Sequence, residues 1–434
     1  MGPMQKRSAK SNSTLRRLIK EAILKNKSAL SPKKGRVSIG WPVFDAEEIQ
    51  GALDALLEIQ ISQGPRVREF EDLCAKYVGT KYAIAVNSGS SANLLALSAL
   101  IASGEVSLGS EVILPATTFA TVASPILQVG LIPVYVDVDP LSWNIDPKEV
   151  KKAIGPKTRV IMPVHTFGNP ADMKVIMPLA NKHKLIVLED CCEAHGAAIN
   201  GKKVGSFGDL STLSFFVAHN ITTGEGGMLF TNSKKYRNIL HSLREFGRLP
   251  LEESTNKRFT HPSMPGFDAR YIFTRLGYNV RMTDVMASLG IAQIKKLDKF
   301  NRKRIATVER YNKALKKYAD YLQLPSVERG NFHSFYGYPF FVKKTAPFTR
   351  MDLVSFLEQR GIETRPFFGG CLPDQPAFRD EPKRIVGKLP VARLLRDQSV
   401  FIGCHPALSD DHVRHVLTSF DEFFTRLPKS RRKN

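Results

Sequence analysis

The stretch "YAIAVNSGSSANLLALSALIAS", residues 82–103, decides how the chain is read. Its first five residues form a short apolar run that reads as a strand, and from Ala92 onward the texture is helical. Between them lies "NSGSS", residues 87–91, a polar turn that opens the helix. The first N–H groups of a helix lack intrahelical partners, so a turn of this kind can hold a phosphate. Ser and Gly also suit any strand-to-helix turn, so the turn alone names no ligand.

The same alternation extends on both sides. "EVILP", "IPVYVDV", "RVIMPVH" and "KLIVLED" read as strands, followed by "STLSFF" and "GMLFT", while "FATVASPILQVG" and "ADMKVIMPLANKH" read as helices between them. Strand–helix alternation on this scale predicts an α/β fold with a largely parallel sheet covered by helices on both faces. After about residue 285 the pattern becomes one long helical periodicity, and 323–425 mixes strands and helices as a smaller α+β unit. The expected organisation is a basic extension over 1–36, helical in part, a large domain over 37–310, a small domain over 311–425 and a basic tail over 426–434. No internal repeat or low-complexity linker is present.

Ligands of open α/β sheets sit at the carboxyl ends of the strands. "EDCCEAHG" places Asp190 there, either as a buried carboxylate needing a cationic partner or as a helix cap. "SFFVAHNITTGEGGMLFT", residues 214–231, reads as strand, glycine-bearing loop and strand, with His219 at the hinge.

The 434 residues are 43% hydrophobic and 24% charged, an ordinary globular composition. No apolar run approaches the ~20 residues of a membrane span. The start, MGPMQKRSAK, lacks the apolar core of a signal peptide and has Lys6 where myristoylation wants Ser or Thr, so a cytoplasmic enzyme is expected. Five scattered cysteines without a zinc-type CxxC pair fit a reducing compartment and no metal site. The net charge of +22 would suggest nucleic acid, but residues 1–36 alone hold 11 Lys/Arg against Glu21. With the excess at the ends, no nucleic-acid partner is expected. In "TLRRLIKEAILKNK", Leu15, Leu18, Ile19, Ala22 and Ile23 share a helical face. That helix either lies on an anionic lipid or substrate or packs on the enzyme body with its basic face in water.

Taken in order, "NSGSSANLLAL", "LPATTFAT", "VYVDVDP", "PVHTFGNPADM", "LEDCCEAHGA", "SFFVAHNITTGEGG", "GYNVRMTDVMASLGIAQ" and "IETRPFFGGCLPDQPAF" resemble the DegT/DnrJ/EryC1/StrS sugar aminotransferase family over roughly residues 37–425. The resemblance implies the aspartate aminotransferase-like (type I) fold and pyridoxal 5'-phosphate or pyridoxamine 5'-phosphate as cofactor, bound by the large domain. It implies that Gly89, Ser90 and Ser214 take the phosphate and that Phe119 stacks on the pyridine ring. Asp190 would pair with the ring nitrogen, making the ring an electron sink, and Glu193 would approach the ring hydroxyl. Asn279 would reach the phosphate of a neighbouring subunit, implying a homodimer with shared active sites.

His219 departs from the family pattern. Transaminases of this family carry a lysine there that forms a Schiff base with the cofactor, and no Lys lies between Lys203 and Lys234. An imidazole is instead suited to proton transfer near neutrality. Within the family this exchange marks the 3-dehydratase branch, which removes the C3 hydroxyl of nucleotide-linked 4-keto-6-deoxyhexoses in deoxysugar and lipopolysaccharide O-antigen biosynthesis. The CDP-sugar members are the more similar, and they carry a 2Fe–2S cluster on four cysteines. Cys192 matches the first of these, but "LPLEESTNKRFTHPSMPGFDARY", residues 249–271, where the other three belong, has none. The cluster is therefore expected to be absent, with glutamate as amino donor in place of a reductase. The alternatives are a nucleotide-sugar aminotransferase of the same family and a cofactor-binding regulator without catalysis. Arg365 is a candidate for an anionic substrate group, and equally for a packing arginine.

Overall fold

The computed structural model describes residues 14, 15, 17–26 and 31–427. The apolar runs form strands β1 (Tyr82–Val86), β2 (Glu111–Pro115), β3 (Ile132–Val136), β4 (Thr158–Ile161), β5 (Ile186–Asp190), β6 (Leu210–Ser214) and β7 (Gly227–Thr231). With the short strand Arg384–Ile385 they make one eight-stranded sheet in the order β1-β7-β6-β5-β4-β2-β3, then 384–385. β7 runs antiparallel to β1 and β6, and the other pairs are parallel.

Side chains alternate between the faces, as the two-residue period of a strand requires. Ile84 and Val86 enter one core with Leu95 and Leu100, whereas Ala83 and Ala85 enter another with Phe70 and Phe215. Both faces are covered, which is why the strands read as near-continuous apolar runs. The helix Gly89–Ala102 is buried nearly all round, because it packs on β6 and β7 and against the helices Ala120–Gln128 and Lys234–Arg244.

The second unit is a four-stranded antiparallel sheet in the order Leu322–Gln323, Tyr338–Val342, Ser399–Ile402, Thr364–Arg365. Its core contains Tyr311, Phe340, Leu353, Val400 and Phe420. The long helical periodicity resolves into two helices, Asp284–Ile294 and Leu297–Leu315, broken at Lys295 and Lys296. The second helix passes without interruption through 310–311, and its Val308, Tyr311 and Leu315 belong to the small-sheet core. Val37 joins that same core through a bridge to Ile362, while Arg384–Ile385 returns to the large sheet beside β3.

The basic extension is only partly within the described residues, and the tail 428–434 lies outside them. Residues 14–15 and 17–25 are helical. Ile19 is buried and Leu15 and Ile23 are half-buried, but Leu18 and Ala22 are exposed, so the packed face is narrower than the expected five-residue set. No helix among the described residues is long and apolar enough to cross a membrane.

Five histidines are held neutral by the fold. Burial, aided by nearby arginine charge for three of them, brings His219, His241, His333 and His405 down to about 3, and burial pushes His195 well below the ordinary 6.5. In the unfolded chain each titrates near 6.5, so below that pH the unfolded state binds protons that the native state refuses. Stability should fall as pH drops from about 6.5 toward 3, by roughly 1 kcal/mol per histidine per pH unit. Urea unfolding is expected to show a lower midpoint at pH 5.5 than at pH 7.5; equal midpoints would contradict the burial of these rings as neutral groups.

Candidate active site

The polar ends of β1, β5 and β6 converge. Ser88 caps the helix Gly89–Ala102, its hydroxyl accepting the Ser91 N–H, which leaves the Gly89 and Ser90 N–H groups at the helix mouth. Gly89 is required there by close approach: a Cβ on it would lie 2.5 Å from Ser214 Cβ and 3.1 Å from Cys192 Sγ. Gly89, Ser214 and Cys192 are thereby brought together at one point, with Ser90 next in the helix. Phe119, the cap residue of the helix Ala120–Gln128, is 58% exposed, a large apolar side chain left open beyond the end of β2.

Asp190 ends β5 and is 4% exposed. Asn93 Nδ2 donates to its Oδ2 at 2.8 Å and the Cys192 N–H to its Oδ1 at 3.0 Å. Asn93 is itself fixed, because its Oδ1 accepts the Thr212 hydroxyl at 2.8 Å and its Nδ2 also donates to the Thr121 carbonyl at 3.1 Å. No cation pairs with Asp190 among the described residues. A buried carboxylate without one is costly, and a protonated pyridine nitrogen is a group that would complete it. The helix mouth, the open Phe119 and the buried carboxylate without a cation fit a pyridoxal-type cofactor.

Three residues from Asp190, Glu193 Oε2 accepts the Phe167 N–H at 2.9 Å. Burial, with the Asp190 charge adding, raises the Glu193 carboxyl well above the usual range. His165, Glu189 and Cys191 also lie close together. The ligating atoms of His165 and Glu189 are spoken for: His165 Nδ1 accepts the Ala171 N–H at 2.9 Å, so its Nε2 donates to Glu189 at 3.1 Å. Glu189 also accepts the N–H groups of Gly205, Phe207 and Gly208. This trio is a brace under the strand ends.

His219 stands in the loop between β6 and β7. Thr222 and Thr223 tie that loop to itself, Thr222 through the Phe215 carbonyl (2.8 Å) and the Gly224 N–H (2.9 Å). The imidazole centroid lies 5.2 Å from Tyr336 and 5.8 Å from His195, and its Nδ1 is buried without a partner. Burial first, then the charge of Arg304, lowers its pKa to about 3, so it is neutral at physiological pH.

Asn279 and Arg365 stand apart from this group. Asn279 is exposed, its Oδ1 accepting Arg281 Nε at 3.1 Å. The adjacent Val280 carbonyl accepts the Asn87 N–H at 2.9 Å, which sets Asn279 beside the end of β1. Arg365 is paired with Glu363 and donates to the Thr364 carbonyl at 2.8 Å. It lines a groove of about 480 Å³ with Lys33, Arg36, Trp41 and Glu358. The sequence reading missed Asn93, whose burial inside an apolar helix is its only signal, and Arg304, which looks like one of many basic residues.

Sheet order, two-unit architecture and a carboxylate at the end of the middle strand define a pyridoxal-phosphate aminotransferase fold. The chain belongs to the DegT/DnrJ/EryC1/StrS aminotransferase family, which it matches over residues 42–421. It is 38% identical over 413 residues to the lipopolysaccharide biosynthesis protein RfbH of Salmonella typhimurium, covering 91% of this chain and 94% of that one. It is likewise 38% identical over 396 residues to dTDP-4-dehydro-2,6-dideoxy-D-glucose 3-dehydratase of Saccharopolyspora spinosa (88% and 86% covered). Among solved structures it resembles a GDP-4-keto-6-deoxymannose-3-dehydratase with a trapped PLP–glutamate geminal diamine, with a TM-score of 0.81 and 29% identity over 88% of this chain and all of that one (100%).

Asn93→Ala removes a charge-assisted donor from a buried carboxylate, a loss of about 1.5–3 kcal/mol. Pyridoxal phosphate, followed by its absorbance, should then bind about 10- to 100-fold more weakly. Native affinity in this variant would show that Asp190 holds the cofactor without Asn93.

Proposed function

We propose that this chain removes the C3 hydroxyl of a nucleotide-linked 4-keto-6-deoxyhexose, using pyridoxamine 5'-phosphate held without a covalent link. The observation that carries the reading is His219, a neutral imidazole in the loop where a transaminase of this family has its lysine. Lys203, the lysine preceding the loop, has its ammonium 4.4 Å from the Tyr77 ring, and Lys234 begins a helix beyond β7. Relatives with this activity class, at 38% identity for the dTDP-sugar enzyme, support the same reading.

Pyridoxamine phosphate, when bound, supplies the amine that joins the C4 ketone and the ring that accepts electrons. The N–H groups of Gly89 and Ser90 and the Ser214 hydroxyl would hold its phosphate. Phe119 would stack on the ring, Asp190 would pair with the ring nitrogen and Glu193 would approach the ring hydroxyl. His219 would accept a proton as general base and, once protonated, would deliver it to the departing C3 oxygen. Overall the sugar loses its C3 oxygen by a two-electron reduction, and glutamate is oxidised to 2-oxoglutarate with release of ammonia. No iron–sulfur cluster takes part in this scheme. Cys192 is the cysteine beside the phosphate turn, whereas Cys74 and Cys191 belong to one core, Cys371 to a second and Cys404 to a third. Two copies of the chain share their sites through the exposed Asn279.

The test is mass analysis of products from CDP-, GDP- and dTDP-4-keto-6-deoxyhexoses, incubated with pyridoxamine phosphate and glutamate. One of them should yield the 3-deoxy sugar. His219→Asn should bind cofactor yet lose about 10² to 10⁴ in rate. His219→Lys should give a borohydride-fixed cofactor on the new lysine, a label that native protein does not acquire. Near-native dehydration by His219→Asn would remove His219 as the base. Near-stoichiometric iron and sulfide in protein purified without oxygen would overturn the cluster-free scheme.

A further inference from the structure

Arg304 is 1% exposed and heads the large side chains that are fully buried, yet no carboxylate pairs with it among the described residues. Its Nη1 donates to the carbonyls of Tyr336 at 2.8 Å and Phe335 at 3.2 Å, and its Nη2 to the carbonyl of His219 at 3.5 Å. One turn earlier on the same helix face, Asn301 Nδ2 donates to the His195 carbonyl at 2.8 Å, and its Oδ1 accepts Asn220 Nδ2, also at 2.8 Å. Asn220 reaches on to the Ser334 carbonyl at 3.1 Å. The helix Leu297–Leu315 thus clasps three segments: the His219 loop, the turn after β5, and the connection 334–336 that leads into the small sheet.

A buried cation without a carboxylate partner is costly, and an apolar side chain of similar length would fill the same space. Guanidinium has what such a side chain lacks, a planar fork able to hold several carbonyls at fixed angles. We infer that Arg304 is the positioning residue for the base: its fork fixes the His219 main chain against the Phe335–Tyr336 connection, and its charge stands beside the His219 backbone. The inference rests on the reading of His219 as the base.

The groups facing His219 agree with this role. His195 and Tyr336 are its ring neighbours, and Glu193 acts on Tyr336. Arg304 is the charge that acts on His219, and it also lowers His195 and His405. Burial, with the Arg304 charge adding, therefore keeps the imidazole unprotonated.

Two variants separate fork from charge. Arg304→Lys keeps the charge and loses the fork; Arg304→Gln loses the charge and keeps one donor. His219 is followed by NMR titration of the full chain labelled with ¹⁵N-histidine, its signal assigned by its loss in His219→Asn. In Arg304→Lys, His219 should stay neutral from pH 5 to 8 as in the native chain. Its kcat should fall about 10- to 100-fold, the scale of a misplaced reacting group, with KM changed less than threefold. In Arg304→Gln the His219 titration should move up in pH and kcat should also fall. Should the Gln variant fail to fold, the Lys variant decides. Native kcat in folded Arg304→Lys, or an unmoved His219 titration in Arg304→Gln, would overturn the inference. Failure of the base assignment would appear separately, as native turnover by His219→Asn, while the titration would still report on Arg304.

Discussion

The hydrogen bond between Asn93 and the buried carboxylate of Asp190 is the contact on which the rest of the site depends. Asp190 closes β5, Asn93 stands one turn inside the helix whose mouth is the proposed phosphate site, and Thr212 on β6 fixes Asn93 in turn. Thr212 is two residues from Ser214, which meets the same phosphate turn from the other side. One line of bonds therefore sets the separation between the place for a ring nitrogen and the place for a phosphate. Because all its members sit on rigid elements, that separation is built into the sheet, the arrangement a precise site needs.

Against this fixed frame, the His219 loop is the variable part. It is tied internally by Thr222 and Thr223 and externally by Asn220, Asn301 and Arg304. These bonds use backbone groups and side chains other than His219's own, so they fix where the Cα stands and leave the side chain there free to differ. A lysine or a histidine can occupy the same hinge without disturbing the cofactor cradle. On the proposed reading, the same hinge would carry either a covalent anchor or a proton acceptor.

The fold was legible because strands buried on both faces leave long apolar runs, and their order with intervening helices fixes a parallel sheet. Asp190 and Gly89 were singled out because each ends a strand or opens a helix, positions where a polar turn stands out, whereas Ser214 was named only through the family resemblance. Asn93 was not, since a buried polar residue inside "SANLLALSAL" looks the same whether it faces solvent or a carboxylate. Arg304 was hidden for the opposite reason: in "KKLDKFNRKRIATVERYNK" a basic residue is the commonest thing to see, and only the packing shows which one points inward. The single long helical pattern also concealed the break at Lys295 and Lys296, where Lys296 leaves the helical run to bond Asp45 and Glu48.

The surroundings of His219 differ in sign from those of a hydrolytic triad. There a carboxylate holds the imidazole and stabilises its protonated form; here burial disfavours that form, and the cation that holds the His219 carbonyl adds to the same effect. An imidazolium formed in such a place is a strong acid, and it loses its proton readily to any oxygen within reach. A dehydratase needs that second half as much as the first, because the C3 hydroxyl departs only when its oxygen is protonated or otherwise relieved of charge. Phosphate groups entering the pocket bring negative charge, which favours the protonated ring. On the proposed reading of His219 as the base, the imidazole would gain basicity as the ligands enter.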